Sequence, residues 1–570
     1  MTRPWTQHYA PGCPTDMPAL PYATLPELFR SITAEQGDKP AFSICLPNGA
    51  GATLSYNELD RHSDALAAYL REILKLEPGD RVAVQLPNCL AYPVAACGIL
   101  KAGCVLVNCN PLYTVTELES QVKDAGAKAL IAIDLFADKL ATLREHTSVE
   151  HVLLAKLTEF FPATKAAIIG FVLKYVRKQV PVCSIATIPF SQALAKGRPQ
   201  ASLAPAYAQA LKPASLAALQ YTGGTTGVSK GAMLSHLNLL ANVEQAYQFC
   251  KHRITRGNEV VLAPLPLYHV FAFTVNFLTF YRTGAHAILI PNPRPMRNMK
   301  AAFEKYPITW MTGINTLYAA LLGEKWFQAN PPQDLKVAIA GGAALHGATS
   351  ERWKTLVGDP ITEGYGLTES SPVVCFNPLG QGRDGCIGLV MPGVDVKLMK
   401  EDGTEAAQGE AGELWVQGPQ VMQGYWNKPE ESAQVLIDGW LHTGDVAVQE
   451  ADGFLKVVDR LKDMIVVSGF KVFPNEVEDC LAHHPAIADC AVIGVPAGEA
   501  GEAVKAFVVI RPGMTLTIEQ VREHCKQSLT NYKVPKLVEF RADLPKTNIG
   551  KILRKTLRNE ELAKLSAKAS

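Results

Sequence analysis

Eleven consecutive residues, Tyr221 to Gly231, combine the side chains and the backbone freedom that bind a polyphosphate. The segment is Tyr-Thr-Gly-Gly-Thr-Thr-Gly-Val-Ser-Lys-Gly, with four glycines, four hydroxyl side chains and Lys230. Glycine lets the backbone approach a ligand closely and turn its N–H groups toward an anion. The hydroxyls add donors and the lysine adds positive charge, so we predict phosphate binding here. A flexible linker is the alternative interpretation.

The flanking residues favour an ordered loop over a linker. An apolar run, Leu216 to Leu219, precedes the glycines and predicts a strand, whereas the residues from Ala232 to Gln245 have a helix-like pattern. We therefore expect a strand–loop–helix arrangement. The loop differs from the common P-loop, which requires Gly-Lys-Ser/Thr, because here Lys230 comes before its glycine.

Four further segments contain single polar residues that could act beside a bound phosphate: Glu363 to Glu369, Trp440 to Asp445, Leu544 to Lys551 and Pro264 to Phe273. Taken alone, a loop glutamate, a turn aspartate, a terminal lysine and a core histidine all have ordinary structural explanations. Beside a polyphosphate, a loop carboxylate becomes a candidate ligand for Mg²⁺, which is held through one or two carboxylates plus phosphate oxygens.

Alternating helix-like and strand-like segments predict the layers that position these residues. The predicted order begins with helix 56–74, strand 81–86, helix 91–102, strand 105–107, helix 117–125 and strand 129–133. Another alternation follows the glycine loop and ends at the strand 335–340, just before Gly341. Strands separated by helices imply a parallel sheet with helices on both faces.

The character of the chain changes near residue 460. Short strands and glycine turns precede this point, and a compact α+β pattern follows it, with strands at 464–467, 488–495 and 504–510 and helices at 474–483 and 518–529. We predict an α/β protein with a large N-terminal domain, residues 1–459, that includes a strand-rich subdomain. A hinge at residues 460–462 and a small mobile α+β domain, residues 463–570, complete the prediction.

Composition excludes several classes of function. The chain has 570 residues, too many for one core, and its formal charge of +1 gives no electrostatic case for nucleic acid. Thirteen cysteines without a C-x-x-C pair fit reduced thiols better than disulfides or zinc. The start of the chain lacks the apolar core of a signal peptide, and no run reaches the roughly 18 apolar residues of a membrane span. We expect a cytoplasmic protein.

Residues 166–180 form an amphipathic pattern with two interpretations. Six apolar residues share one face of a helical wheel, and Lys174, Arg177 and Lys178 cluster opposite. This pattern is typical of an interfacial membrane helix, and equally of a surface helix that packs on a core. The basic bias of the polar face favours peripheral association with the inner face of the cytoplasmic membrane.

The motifs resemble those of the adenylate-forming enzymes, the superfamily of acyl-CoA synthetases, luciferase-like enzymes and peptide-synthetase adenylation domains. The glycine loop is similar to their phosphate-binding signature, with Gly223 where serine is common and Ser229 where proline is common. Tyr-Gly-Leu-Thr-Glu, ending at Glu369, and Thr-Gly-Asp, ending at Asp445, match two further motifs. The resemblance covers nearly the whole chain and is greatest to bacterial long-chain fatty acid–CoA ligases.

The resemblance implies a role for each site residue. Lys551 would contact the substrate carboxylate and the α-phosphate, Glu369 would bind Mg²⁺ and Thr368 a phosphate, with Lys230 and His269 also in the catalytic set. Asp445 and Arg460 would hold the ribose, His269 and Phe273 would border the acyl group, and Lys462 would be the hinge. The remaining residues implied to bind ATP or AMP are Thr222, Gly223, Gly224, Thr225, Thr226, Gly227, Gly231, Gly341, Gly342, Ala343, Glu363, Tyr365 and Gly366.

The implied activity is a two-step ligase reaction. A fatty acid and MgATP would give an acyl-adenylate and pyrophosphate, and CoA would then give the thioester and AMP. The implied partners are a fatty acid, ATP and CoA, with Mg²⁺ as cofactor and a homodimer among the open oligomeric states. Two alternatives remain: an acyl-AMP ligase that hands the acyl group to a carrier protein, and a fatty-acid uptake or binding component with weak catalysis.

Overall fold

The computed structural model describes residues 3–222, 229–383, 385–468, 470–497, 501–547 and 550–569, with side chains up to residue 564. The predicted residues Gly223, Gly224, Thr225, Thr226 and Gly227 lie outside the described residues. The largest apolar core contains residues from Trp5 to Leu455, and a separate core is formed entirely by residues from Ile465 to Val534.

The α-helices, labelled in chain order, are α1 (Leu25–Gln36), α2 (Tyr56–Ala68), α3 (Ala91–Lys101), α4 (Val115–Ala125), α5 (Leu143–His146), α6 (Ala163–Phe171), α7 (Phe190–Gly197), α8 (Ala204–Ala208), α9 (His236–Cys250), α10 (Val270–Ala272), α11 (Phe280–Arg282), α12 (Lys300–Lys305), α13 (Asn315–Leu321), α14 (Lys325–Ala329), α15 (Gly347–Val357), α16 (Pro429–Val435), α17 (Pro474–Ala482), α18 (Ile518–Lys526) and α19 (Arg554–Ala569). Short π-helical turns occur at Tyr69–Ile73, Val172–Val176 and Phe273–Thr279, and 3₁₀ turns at Thr368–Ser370 and Leu461–Asp463.

The strands are β1 (Pro40–Cys45), β2 (Gly51–Ser55), β3 (Arg81–Gln85), β4 (Val105–Asn108), β5 (Ala129–Ile133), β6 (His151–Ala155), β7 (Ile188–Pro189), β8 (Leu216–Thr222), β9 (Lys230–Ser235), β10 (Val260–Ala263), β11 (His286–Leu289), β12 (Trp310–Gly313), β13 (Val337–Ala340), β14 (Ile361–Gly366), β15 (Val373–Phe376), β16 (Leu389–Val390), β17 (Asp395–Met399), β18 (Ala411–Gln417), β19 (Leu436–Ile437), β20 (Trp440–Gln449), β21 (Leu455–Arg460), β22 (Ile465–Val467), β23 (Phe470–Val472), β24 (Ile487–Pro496), β25 (Glu502–Ile510) and β26 (Leu537–Phe540).

Two large sheets, both mostly parallel, form the N-terminal part of the molecule. One has the strand order β7-β6-β5-β3-β4-β8-β9, and the other β16-β15-β14-β13-β12-β10-β11-β1-β2. Their central strands are parallel and almost wholly buried, as expected for sheets that are covered on both faces. The α/β fold class predicted from the sequence is therefore confirmed.

Smaller sheets complete the architecture. An antiparallel sheet of β17, β18, β20, β19 and β21 is the predicted strand-rich part before residue 460. Beyond it, β24, β25 and β26 form a three-stranded sheet, and β22 pairs with β23 as a separate hairpin. Helix α17 packs against β24 and α18, which gives this region the predicted α+β character.

The segment after the glycine loop differs from its prediction. Instead of entering a helix at Ala232, the chain forms strand β9, antiparallel to β8, with Thr222 opposite Lys230. Helix α9 begins only after Ser235, whose hydroxyl caps the backbone N–H of Asn238 at 3.1 Å. The expected strand–loop–helix is therefore wrong, because pairing with β8 holds residues 230–235 extended despite their helix-like composition.

Helix α6 and the π-helical turn that follows it lie on the surface and contain no buried residue. Ala166 and Ile169 pack against the core, whereas four large apolar side chains point to solvent: Ile168 (65% exposed), Phe171 (58%), Tyr175 (61%) and Val176 (65%). Among the described residues, no helix is both long and apolar enough to span a membrane.

Candidate active site

A cavity of about 1410 Å³ brings most of the predicted site residues together. The carboxyl ends of β4, β8, β13 and β14 open into it, which is where open α/β sheets bind ligands. Residues beyond 460 close another side, among them Lys462, Lys551 and Arg554. The cavity is therefore shared between the large N-terminal part of the chain and the small C-terminal part.

Lys230 lies at one wall of this cavity, at the start of β9. Its ammonium is 5.1 Å from the centre of the Tyr425 ring, and the paired residue Thr222 lines the same wall. Gly231 next to it permits close packing, since a Cβ there would lie 3.0 Å from the Tyr221 ring. The hairpin β8–β9 thus presents both ends of the predicted phosphate loop to the cavity.

A second wall is built by residues 341–345 and by β14. Glu363 is buried and accepts a hydrogen bond from the backbone N–H of Leu345 at 3.1 Å. Gly341 has no room for a side chain, because a Cβ would lie 3.2 Å from the Phe271 ring. Gly342 has a φ of +79°, and Ala343 lines the cavity beside it. The Glu363 carboxylate therefore positions this loop as well as bordering the cavity.

Strand β14 ends at Gly366, where two backbone segments lie very close together. A Cβ at Gly366 would lie 1.9 Å from the carbonyl oxygen of Pro372, so any side chain would push the two backbones apart. This close approach precedes the 3₁₀ turn that carries Thr368 and Glu369. Tyr425 donates a hydrogen bond from its hydroxyl to Oε1 of Glu369 at 2.7 Å.

Asp445 contacts several residues that form the third wall of the cavity. Its Oδ2 accepts a hydrogen bond from the Tyr365 hydroxyl at 2.6 Å, and its Oδ1 lies 3.3 Å from Nε of Arg460. The Thr443 hydroxyl accepts from the backbone N–H of Asp445 at 3.1 Å, which fixes the turn. Burial and the nearby Asp445 carboxylate raise the pKa of Tyr365 well above its usual value, so its phenol stays a donor.

Lys551 enters the cavity on a loop from the C-terminal part. The loop is closed by a hydrogen bond from the Thr547 N–H to the Lys551 carbonyl at 2.7 Å, and Gly550 lies directly against Ile314 and Thr316 of the N-terminal part. Burial, followed by repulsion from Arg460, lowers the pKa of Lys551 to about 8. His269 lies near enough for its own pKa to be lowered by Lys551, although burial is the larger cause and brings it to about 4.

The apolar end of the cavity begins at His269. Its lining includes apolar or aromatic residues from several elements, namely Phe271, Val275, Phe280, Trp310, Cys250 and Ile254. Phe273, the predicted acyl gate, is 0% exposed and packs against Phe277 at 5.8 Å, outside the cavity lining. The helix turns at this point, so Phe271 and not Phe273 faces the cavity.

The predicted hinge residue Lys462 lies in the 3₁₀ turn Leu461–Asp463 and borders the cavity. A buried cluster lies beside it. Arg554 contacts Asp459 at 3.1 Å and Glu478 at 2.7 Å, and the backbone N–H of Asn475 donates to Asp459 at 2.8 Å. Arg554 therefore connects the end of β21 with α17 across the predicted hinge.

Sequence reasoning missed three of these residues. Tyr425 and Arg554 are distant in sequence from their carboxylate partners, and only folding brings them together. Phe271 was passed over for Phe273, two residues away. A helical wheel could not have separated the two phenylalanines, because the chain between them changes from α- to π-helical geometry at Phe273.

The sequence and the architecture define the class of protein to which the chain belongs. Residues 29–426 match the family described as AMP-binding enzyme, and residues 476–551 match the AMP-binding enzyme C-terminal domain. The chain therefore belongs to the AMP-binding enzyme family, as its motifs predicted.

Two bacterial proteins are similar to this chain over nearly its whole length. The chain is 44% identical to a long-chain-fatty-acid–CoA ligase of Escherichia coli O157:H7, with 100% of both chains covered. It is 37% identical to a protein of the same description from Bacillus subtilis (strain 168), with 98% of both covered.

Solved structures share the fold over nearly the whole chain. The anthranilate CoA ligase AuaEII in complex with anthranoyl-AMP has a TM-score of 0.84 at 26% identity, covering 96% of this chain and 98% of that one. ATP-bound MatB from Rhodopseudomonas palustris has a TM-score of 0.78 at 28% identity, covering 94% and 98%.

Proposed function

We propose that this protein is an AMP-forming long-chain fatty acid–CoA ligase, with fatty acid, ATP and CoA as substrates. The observation that carries the proposal is the shape of the site: one cavity joins a polar end, with Lys230, Glu369 and Asp445, to an apolar end beyond His269. Its full-length likeness to long-chain-fatty-acid–CoA ligases of several bacteria supports the same conclusion.

The first half-reaction follows from the chemistry of a carboxylate. A carboxylate is a poor acyl donor because its leaving group would be oxide. Attack of its oxygen on the α-phosphorus of ATP breaks the bond to pyrophosphate and gives an acyl-adenylate, from which AMP leaves readily. Lys551 lies between the polar and apolar ends, where its ammonium would offset the repulsion between the two anions.

The nucleotide would lie against the polar walls. Asp445 and Arg460 would bind the ribose, and residues 341–343 together with Tyr365 would flank the adenine. The ends of the glycine loop, Thr222 and Lys230, would direct donors to the phosphates together with Gly231 and Thr368. The loop residues Gly223, Gly224, Thr225, Thr226 and Gly227 complete this assignment. Gly366 would serve indirectly, since its close packing against Pro372 sets the position of Thr368.

The donor set fits a Mg²⁺ ion that arrives with ATP. Among the described residues, no cluster of three His, Cys, Asp or Glu side chains could hold a metal by itself. Glu369 offers one carboxylate, oriented by the Tyr425 hydroxyl at 2.7 Å, and phosphate oxygens would supply the other ligands. Mg²⁺ bound there would neutralise phosphate charge, while the Tyr425 hydroxyl holds the Glu369 carboxylate in place.

The second half-reaction requires the site to change. CoA must bring its thiol to the acyl carbon that Lys551 approaches in the first step, so Lys551 has to withdraw. We place the rotation at residues 460–462, between an N-terminal domain of residues 1–459 and a mobile domain of residues 463–570. Such motions concentrate their φ/ψ change in a few linker residues. The thiol sulfur then attacks the acyl carbon, the bond to AMP breaks, and the thioester forms.

The direct test uses purified protein with palmitate, ATP, Mg²⁺ and CoA. We expect palmitoyl-CoA, AMP and pyrophosphate in equal amounts, and no palmitoyl carrier protein when CoA is replaced by an acyl carrier protein. A palmitoyl carrier protein formed faster than palmitoyl-CoA would instead establish an acyl-AMP ligase. Palmitate binding without pyrophosphate release would establish a binding component.

We further infer that helix α6 and the following turn, residues 163–176, lie on an anionic membrane surface, on the inner face of the cytoplasmic membrane. The four exposed apolar side chains of this segment lie beside Lys165, Lys174, Arg177 and Lys178, all of them exposed. No Asp or Glu occurs between Glu159 and Glu244, so nothing in this stretch of sequence would repel anionic lipid. The arrangement is that of an interfacial helix.

Vesicle sedimentation tests this inference. The protein should bind vesicles of phosphatidylglycerol more tightly than vesicles of phosphatidylcholine, and added salt should weaken the binding. Combined charge reversal of Lys174, Arg177 and Lys178 to Glu should reduce affinity by about 100-fold. Lys300→Glu, at an exposed lysine elsewhere, is the control. Equal binding by the triple variant would refute the inference without affecting the proposed activity.

A further inference from the structure

Three of the thirteen cysteines, all within the described residues, are partly exposed: Cys13, Cys183 and Cys480. The other ten are buried, and burial raises the pKa of most of them, which keeps them as unreactive thiols. Burial likewise raises the pKa of Cys13 to about 11. Cys480 differs from the other two partly exposed cysteines because it packs against a core that contains a second thiol, Cys525.

Cys480 is in the last turn of α17, and Cys525 is in the last turn of α18, which packs against α17. Cys525 is buried in the C-terminal core, and Cys480 packs against the edge of the same core. The Ser528 hydroxyl lies 3.1 Å from Sγ of Cys480. Cys480 thus contacts His524 and Ser528, which lie on either side of Cys525 in the sequence, so the two thiols are neighbours across a helix pair.

The surroundings of Cys480 favour its thiolate. The neighbouring Cys525 thiol, with smaller contributions from Ser528, His524 and His483, lowers the pKa of Cys480, and the proximity of Cys480 raises the pKa of Cys525. His524 Nε2–H also donates to the Cys480 carbonyl at 2.8 Å, which joins the two helix ends. The thiolate is the nucleophile in thiol chemistry.

We propose that Cys480 and Cys525 form a peroxide-responsive dithiol site, in which Cys480 reacts first and Cys525 resolves it. The Cys480 thiolate attacks one oxygen of hydrogen peroxide, the O–O bond breaks, and the departing hydroxide takes a proton to become water. Cys525 sulfur then attacks the sulfenic acid, its thiol proton goes to the departing oxygen, and a second water leaves. Two thiols are oxidised to one disulfide, and one peroxide is reduced to two waters.

The site adjoins the interface between the two parts of the chain. His483, three residues beyond Cys480, lies at the N-terminus of α15, where a Cβ on Gly347 would be 3.5 Å from its Nε2. The opposite end of α17 carries Asn475 and Glu478, which contact Asp459 and Arg554 beside the predicted hinge. The disulfide can be tested independently of the proposed function, because the cross-link is detected from the mass of the linked peptides and not from enzyme activity.

Peptide mapping of the full-length protein tests the proposal. The reduced protein is freed of reductant, treated with one equivalent of hydrogen peroxide, and blocked with N-ethylmaleimide. Asp-N cleaves before Asp479 and Asp489, and trypsin cleaves after Arg522 and Lys526, so Cys480 and Cys525 are isolated from Cys490. We expect a peptide of residues 479–488 disulfide-linked to residues 523–526, which a reducing agent separates.

Variants distinguish the role of Cys480, which reacts first, from that of Cys525, which resolves it. Cys525→Ser should leave a sulfenic acid on Cys480 that dimedone traps, and Cys480→Ser should leave Cys525 unreacted. Cys183→Ser, at the partly exposed cysteine without a thiol partner in the structure, should behave like the parent protein. Pyrophosphate release under reducing conditions shows that each variant is folded.

Two results would overturn the proposal. One is the absence of the 480–525 cross-link while Cys13 or Cys183 is oxidised at a comparable rate. The other is an unchanged rate of peroxide consumption in Cys480→Ser. If a variant fails to fold, alkylation of the parent protein decides the matter: iodoacetamide should modify Cys480 about tenfold faster than Cys183, and equal rates would contradict the proposal.

Discussion

At the scale of single residues, Lys551 has an environment that opposes its own charge. Burial and Arg460 lower its pKa to about 8, whereas its proposed role in adenylation requires the charged ammonium between two anions. The charged fraction of the free enzyme therefore falls as the pH rises through 8. In the proposed mechanism the charged form of Lys551 is stabilised only when ATP and the carboxylate bind.

We expect the rate of the palmitate-dependent pyrophosphate burst at subsaturating palmitate, without CoA, to decrease about tenfold per pH unit well above pH 8. Lys551→Arg should be slower but should lose this alkaline limb, because a guanidinium stays charged throughout the range. Initial rates between pH 6 and 10 provide the measurement. An identical alkaline limb in both proteins would assign the titration to another group.

Glu369 makes a prediction about metal dependence. Glu369→Gln keeps the size of the side chain but removes the charge that would hold Mg²⁺. We expect pyrophosphate release to need a Mg²⁺ concentration at least about tenfold higher, with little change in fatty acid binding. Glu430→Gln, at an exposed glutamate on α16, is the control. An unchanged Mg²⁺ dependence in Glu369→Gln would remove it as the ligand.

Phe271 and Phe273 form a matched pair in the acyl region. Phe271→Ala should change the ratio of kcat/KM for C16 and C8 acids, because its ring lines the cavity. Phe273→Ala should leave that ratio unchanged but lower the free energy of unfolding by about 3–5 kcal/mol, since its buried ring fills the core. Urea denaturation and a chain-length panel measure both effects. The reverse pattern would restore the original prediction for Phe273.

At the scale of elements, segments with strong local sequence patterns were predicted well, and segments that depend on long-range pairing were not. Strand β5 was predicted at its observed bounds, and helices α3 and α17 to within one residue, because buried strands and amphipathic helices have strong local patterns. Strand β9 was predicted as helix, because its structure depends on pairing with β8. The candidate site shows the same division: motif residues were found, whereas Tyr425 and Arg554 depend on long-range contacts.

The segment Leu461–Asp463 makes the prediction at this scale. Proline fixes φ near −65° and restricts the preceding residue, so Lys462→Pro should hinder rotation at this turn. Because the structure already has Lys551 in the cavity, we expect adenylation to persist and transfer to CoA to decrease about 100-fold. Lys462→Ala is the appropriate control. A proline at Lys536 would be unsuitable, because the backbone N–H of Lys536 donates a hydrogen bond to Val504. Full transfer activity in Lys462→Pro would place the hinge elsewhere.

At the scale of the whole molecule, the structure joins two parts of the chain around one cavity. Gly550 packs against Ile314 and Thr316, and Arg554 reaches Asp459, so the C-terminal part packs against the N-terminal part beside the cavity. In the proposed mechanism this arrangement serves adenylation, with Lys551 placed where carboxylate and phosphate would meet. The proposal assigns thioester formation to a rearranged state.

One measurement tests this account most directly: the burst of pyrophosphate when enzyme, palmitate and MgATP are mixed without CoA. We predict a burst equal to the enzyme concentration, followed by palmitoyl-CoA formation when CoA is added. In Lys551→Ala the burst should be slower by at least about 100-fold, while transfer from supplied palmitoyl-adenylate to CoA continues and Lys536→Ala behaves like the parent. No burst before CoA is added, or an equal burst in Lys551→Ala, would contradict the account.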